Sequence, residues 1–284
     1  MVVAERCLTL VPAAPPLDFP DEVDRAAAAA FYHRYPAAGG APLAVVIAAF
    51  DEEDAVGGVV RAIPPVVAGL ETEAIVVVDG ARDATADRAS SAGALVCDVP
   101  VNRGQGAALR LGYGLARGRG AQVIATLDAD GQWDPGQLGR VVAPVVAGEA
   151  DFVSGSRRLG SSEGTDSIRQ AGVVLFSSLI SALIGRRVTD PACGIRAMRA
   201  EVTARVTLRQ PQYQSSELLI TAALAGYRTI EVPITMHRRL AGATKKGGNL
   251  LYGARFARVV VGTWRRERRG GRRAAPASAK ITIS

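Results

Sequence analysis

Four short apolar runs in the middle of the chain each stop at a polar cluster, and this recurrence constrains the fold more than any other feature. Leu43–Ala49 ends at Phe50-Asp51-Glu52-Glu53, and residues 74–78 end at Asp79-Gly80. Leu95–Val99 precedes Asn102-Arg103-Gly104-Gln105-Gly106, and a fourth run from Val123 ends at Asp128. Unbroken apolar runs of this length are the pattern of strands buried on both faces. Helix-like segments separate them, reaching about residues 63, 92 and 117. Strands alternating with helices imply an α/β fold with a mostly parallel central sheet flanked by helices. Such sheets bind ligands at the carboxyl ends of their strands, where Asp51, Asp79 and Asp128 fall.

The fourth run continues as Leu127-Asp128-Ala129-Asp130-Gly131-Gln132-Trp133-Asp134-Pro135. Successive side chains of an extended chain alternate sides, so Asp128, Asp130 and Gln132 would share a face. Two carboxylates and an amide oxygen make a hard, oxygen-only site suited to Mg²⁺ or Mn²⁺. Asp-Ala-Asp-Gly is equally a composition for a solvated turn. The Gly104-Gln105-Gly106 loop lacks the third glycine of a dinucleotide fingerprint, because Leu109 stands there.

Flanking this core, residues 1–40 read as an N-terminal extension, a Pro-rich segment followed by a helix over 21–35. Residues 41–246 read as the catalytic domain and 247–284 as an amphipathic helix with a basic tail. Within the domain, the spacing predicts a strand leading into Ser156-Arg157-Arg158 and a Gly- and Ser-rich loop over 159–168. An apolar helix is predicted over 171–184, a turn over 189–194, a helix carrying Glu217 and a strand over 227–236. A cationic loop, 238–246, follows. The chain carries a net charge of +7, but nine basic side chains stand against Glu267 from Arg255 onward, so the first 254 residues are near neutral. That balance, with no nucleic-acid motif, argues against nucleic acid as a partner. Three cysteines without metal spacing suit a reducing compartment. No secretory signal is legible, and the longest apolar stretch falls short of the ~20 residues of a spanning helix.

Several of these stretches, in order, resemble the inverting family 2 glycosyltransferases, nearest to the dolichyl- and polyprenyl-phosphate sugar (mannose or glucose) synthases. The similarity runs from about Leu43 to Lys246. It rests on Ala48-Ala49-Phe50-Asp51-Glu52-Glu53, Val78-Asp79-Gly80, Asp128-Ala129-Asp130-Gly131-Gln132 with Pro135, and Gly155-Ser156-Arg157. Asp190-Pro191-Ala192-Cys193-Gly194-Ile195-Arg196 and Arg239-Leu240-Ala241-Gly242-Ala243-Thr244-Lys245 complete it. Two positions depart from the family pattern: Val78 replaces an Asp, and Gln105 replaces a Lys.

The resemblance implies a GT-A-like fold and transfer of a sugar from a UDP- or GDP-sugar donor. Ala48, Phe50, Glu52, Asp79 and Asp128 would line the donor site, with Arg239 and Lys245 from the late loop. Asp128, Asp130 and Gln132 would hold Mg²⁺ or Mn²⁺. Arg157 would neutralise the leaving group, and Asp190 matches the family position for a base, with Glu217 as the alternative; His237 reads as structural or phosphate-adjacent. The implied acceptor is a polyprenyl phosphate or a soluble small molecule, and the implied place is the cytoplasm or the inner face of the plasma membrane, with the basic tail on an anionic surface. The competing readings are a nucleotidyltransferase or retaining enzyme on a similar fold, and a non-catalytic membrane- or nucleic-acid-binding protein with a vestigial nucleotide fold.

Overall fold

The structure is a computed structural model that describes residues 19, 21–163, 167–206, 208–210, 212–238 and 250–269, with the backbone alone for 167–171 and 250–252. Among these residues the strands form one eight-stranded sheet. β1 (Leu43–Ala49) lies between β3 (Leu70–Asp79) and β5 (Val123–Asp128), parallel to both. β4 (Leu95–Val99) runs parallel along the other side of β3, beside a short antiparallel pairing with β2 (Val66–Val67). Beyond β5 come β7 (Arg196–Arg199), β6 (Phe152–Ser162) and the edge strand β8 (Thr229–Met236). Only β7 runs antiparallel within this half, to both its neighbours. Its four residues are too few to show a period, which is why the sequence did not reveal it.

The apolar runs have no polar face because both sides of the sheet are covered. Ala44 and Val46 join a cluster with Phe31, Leu111 and Leu115, while Leu43, Val45 and Ile47 join the opposite one with Val59, Val141 and Val142. The first face carries α1 (Glu22–Arg34), α4 (Gln105–Gly118), α6 (Ser167–Ile184), α7 (Ala200–Arg205), α8 (Gln214–Leu224) and α9 (Leu250–Arg269). The second carries α2 (Val56–Arg61), α3 (Thr85–Ser91) and α5 (Leu138–Val146). α1 was expected within a separate extension; instead its Ala27, Ala28 and Phe31 are buried in the first cluster.

Two further differences have clear causes. The expected loop over 159–168 is in part strand, because β6 resumes pairing with β8 after an irregularity, Ser161 opposite Thr235 and Ser162 opposite Met236. The free side of β8 is covered by side chains. Gln137 donates from Nε2 to the Thr235 carbonyl (2.9 Å) and accepts from the Thr235 amide (2.8 Å), and Arg140 Nη1 donates to the Pro233 carbonyl (3.2 Å). At the end of β8 the His237 amide donates to the Gln132 carbonyl (2.8 Å), and Trp133 bridges Met236. This ties the Asp128–Gln132 turn to the far edge of the sheet.

Candidate functional site

β1, β3 and β5 are parallel and in register, so their carboxyl ends meet along one rim. Ala48 pairs with Val77 on one side and Asp128 on the other. The loops leaving β1 and β3 are stitched together. Asp51 Oδ1 accepts from the Arg82 amide (3.0 Å), the Glu52 amide donates to Thr85 Oγ1 (2.9 Å), and Glu53 Oε2 accepts from the Ala84 amide (2.9 Å). These bonds hold the segment that carries Phe50 and Glu52 against the loop that follows Asp79.

Asp79 is 2% exposed at the end of β3. Its carboxylate accepts from the amides of Arg103 (3.1 and 3.0 Å) and Gly104 (2.7 Å). Burial pushes its carboxyl above the usual range, outweighing the two amides and the Arg103 charge that favour the ionised form. Gly104 has φ +91, a conformation that favours glycine, and this bend lets two successive amides face one carboxylate before α4 begins at Gln105.

The second part of the rim is the Asp-x-Asp turn. The strand-alternation premise does not hold here: β5 ends at Asp128, Gly131 has φ +72, and Asp130 Oδ1 accepts from the Gln132 amide (3.1 Å). A two-residue Asp side chain to backbone link of this kind defines a tight turn, so Asp128, Asp130 and Gln132 lie on a bend rather than along one face of a strand. Asp128 is held from two sides, Oδ1 by Gln105 Nε2 (3.0 Å) and Oδ2 by the Trp133 indole (2.9 Å). Gln105 therefore does more than replace a lysine: it fixes one carboxylate oxygen of the turn. Among the described residues no three His, Cys, Asp or Glu side chains gather to hold a metal. The donor set is all oxygen, which fits Mg²⁺ or Mn²⁺ carried by one or two carboxylates and completed by substrate phosphate oxygens.

Arg157 on β6 forms the third part. Its guanidinium lies over the Trp133 ring at 5.7 Å to the centroid and pairs bidentately with Asp190, Nε to Oδ2 at 2.6 Å and Nη2 to Oδ1 at 2.7 Å. The Arg157 amide also donates to Asp190 Oδ2 (3.1 Å). Burial alone would lower the Arg157 pKa, but the Asp190 carboxylate overrides it and holds the guanidinium above its ordinary value. Asp190 is 0% exposed with both oxygens engaged by Arg157, so in this geometry it anchors the guanidinium. Behind it, Glu231 accepts from the amides of Thr189 (2.7 Å) and Asp190 (2.8 Å) and from Thr189 Oγ1 (2.9 Å). Burial raises the Glu231 carboxyl. Nothing in the sequence singled out Glu231, which sits unremarkably within a strand.

Glu217, the alternative base, is also buried and committed. It accepts from the amides of Arg209 and Gln210 (3.0 Å each for Oε2) and from Arg266 Nη1 (2.9 Å), so it docks α9 onto α8. His237 Nδ1 faces Glu163 Oε1 at 3.3 Å and its amide joins the Asp-x-Asp turn, a structural placement at the rim. Arg239 and Lys245 lie outside the described residues. Gly194, a motif position with no role assigned from sequence, and Trp133 both shape the site. A Cβ on Gly194 would overlap Asp128 Oδ2 and Trp133 Nε1. The Cys193–Gly194 turn is itself clamped, by Thr126 Oγ1 on the Gly194 carbonyl (3.1 Å) and by buried Arg196 on the Cys193 carbonyl.

Residues 44–207 match the family described as Glycosyl transferase family 2. A dolichyl-phosphate hexose transferase of Haloferax volcanii is 34% identical over 203 residues, covering 72% of this chain and 86% of the relative. An undecaprenyl-phosphate mannosyltransferase of Micrococcus luteus is 29% identical, covering 64% and 78%. Among solved structures, glucosyl-3-phosphoglycerate synthase from Mycobacterium tuberculosis, in complex with Mn²⁺, UDP and glucosyl-3-phosphoglycerate, shares the fold with a TM-score of 0.61 at 22% identity, over 83% of this chain and 82% of that one. The sheet order, the strand-end carboxylates and these matches agree: the chain has a GT-A-like fold, is a glycosyltransferase and belongs to glycosyl transferase family 2.

Proposed function

We propose that this glycosyltransferase moves a hexose, with inversion, from a UDP- or GDP-sugar to a polyprenyl phosphate. The observation that carries the reading is the connected set Gln105–Asp128–Trp133–Arg157–Asp190, in which one indole takes a carboxylate at its N–H edge and a guanidinium over its ring. A donor whose diphosphate lies along it meets a carboxylate site for a cation and a guanidinium pre-oriented for phosphate oxygens. The names of the Haloferax and Micrococcus relatives support a lipid-phosphate acceptor.

In this reading Asp79 accepts hydrogen bonds from the base or ribose, flanked by Ala48, Phe50 and Glu52. Asp128 and Asp130, with the side-chain oxygen of Gln132, would hold a divalent ion, which when bound would neutralise charge on the diphosphate. The anomeric carbon–oxygen bond to the diphosphate breaks, and the nucleoside diphosphate leaves with the electron pair. An acceptor phosphate oxygen forms the new bond from the opposite face. That oxygen is already ionised, so no base is needed, consistent with Asp190 being spent on Arg157. Arg239 and Lys245 are assigned to the phosphates on their motif alone.

The acceptor reaches the rim from a lipid surface in this proposal. No helix among the described residues is long and apolar enough to cross a membrane, but α6 exposes Leu175 (66%) and Val174 (43%), and α9 ends with Arg265, Arg268 and Arg269 exposed. Such a combination suits peripheral attachment to anionic lipid.

The test is transfer from radiolabelled UDP- and GDP-hexoses, with Mn²⁺ or EDTA, to polyprenyl phosphate in anionic vesicles or to a phosphorylated small acid. The expected product is organic-soluble, metal-dependent and diminished by high salt. A product found only in the aqueous phase with the small acid would replace the lipid acceptor. Acidity gives a second expectation. Asp79 must be ionised to accept a base N–H, and burial raises its pKa, so nucleotide affinity should fall with acidification starting above the usual carboxylate range. Calorimetric titration with UDP and GDP across pH checks this, and Asp79→Asn should flatten that limb; an unshifted limb in the variant removes Asp79 from the role.

A further inference from the structure

The residues that hold Asp79 are themselves held from outside the family-matched region. Arg103 and Gly104 present their amides to the Asp79 carboxylate, and the next residue, Gln105, reaches Asp128. This three-residue corner therefore joins the nucleoside end of the rim to the metal end. Its only long side chain pointing away from the rim is Arg103, and that side chain runs into α1. Arg103 Nη2 donates to Asp24 Oδ1 at 2.6 Å, and Nη1 to both oxygens of Asp21 at 3.0 Å.

The two acids differ in weight. Asp21 is 43% exposed, and a pair of that kind contributes little in water. Asp24 is 0% exposed, so its charge is uncompensated unless Arg103, with Arg110 Nη2 at 3.7 Å, stays in place. The position of Asp24 is in turn fixed by α1. Asp21 caps the helix by accepting from the Asp24 amide (2.8 Å), and one to two turns on, Ala27, Ala28 and Phe31 are buried in the core. Residues 21–34 lie outside the matched stretch 44–207.

We propose that Asp24 is a positioning residue for the donor nucleotide, acting through Arg103 to hold the amides that orient Asp79. The proposal rests on the donor-site reading above. The effect falls on binding of the nucleoside half more than on bond breaking, because Arg157 is fixed by Asp190 and Asp128 keeps the Trp133 indole as a second partner beside Gln105. It also predicts that Asp24 and Arg103 act as one unit.

The test uses full-length Asp24→Asn, Arg103→Met and the double variant, with UDP and GDP plus Mn²⁺ as calorimetric probes, and donor KM and kcat where turnover is measured. Asp24→Asn keeps the shape of α1 and removes only the charge. Expected are nucleotide affinity and donor KM each weakened about tenfold, kcat at saturating donor within about twofold of wild type, and a double variant no weaker than the worse single. A lowered melting temperature with unchanged nucleotide affinity would make Asp24 merely structural and overturn the proposal, as would additive losses in the double variant. Failure of the wild type to bind either nucleotide would instead remove the donor-site reading, and this proposal with it.

Discussion

Gly194→Ala is expected to lower transfer by about 100-fold while leaving a folded protein. The added methyl has no free space, since it would stand where Asp128 Oδ2 and the Trp133 indole nitrogen now lie. The turn cannot retreat, because Thr126 and Arg196 clamp its carbonyls from within the core. Asp128, which is only partly buried, must move instead, and it loses its fit to the buried Trp133 indole. A shift near 1 Å at a group that positions the reacting atoms costs on the order of 10²-fold. Rates at saturating Mn²⁺ and donor check it, with circular dichroism confirming the fold. A variant with wild-type rate would show that the Asp128 orientation is not critical.

Asp190→Ala is expected to be damaging in two ways at once. It strands the partly buried Arg157 guanidinium, and removing one partner of a buried pair costs about 3–5 kcal/mol. It also frees Arg157 from the orientation it holds over Trp133. Stability to urea should fall by that amount, and transfer should fall together with it. Asp190→Asn and Arg157→Ala should reduce transfer to similar levels, and combining them should add little, since both remove the same arrangement. A general base would behave differently: Asp190→Asn would then lose rate and shift the pH profile while Arg157→Ala retained the wild-type profile. Urea titration and pH–rate curves on the two single variants separate these outcomes.

The parallel half of the sheet was legible because β1, β5 and residues 74–78 of β3 are apolar runs with no polar alternation, and β1, β3, β4 and β5 follow in sequence. β7 was not, because four residues carry no period and its place is set by pairing with β5 and β6. Asp79, Asp128 and Arg157 were found from strand-end position and motif, and the structure places them along one rim. What sequence could not show is how they are held. Asp190 looks the same in a motif whether it takes a proton or grips an arginine, and only its burial and bidentate geometry distinguish the two. Glu231, Gln105 and Asp24 act through amides or side chains 20 to 80 residues away, a relation with no local signature.

The side-chain cover on β8 has a consequence for association between molecules. An exposed edge strand offers a row of free amides and carbonyls to any other strand, which is how sheets join edge to edge into aggregates. Here Pro233 lacks a donor in mid-strand, the Gln137 amide satisfies both backbone groups of Thr235 as a neighbouring strand would, and Arg140 takes the Pro233 carbonyl. The segment that follows the Asp128–Gln132 turn thus takes the place of a neighbouring strand along Pro233–Thr235, built from side chains.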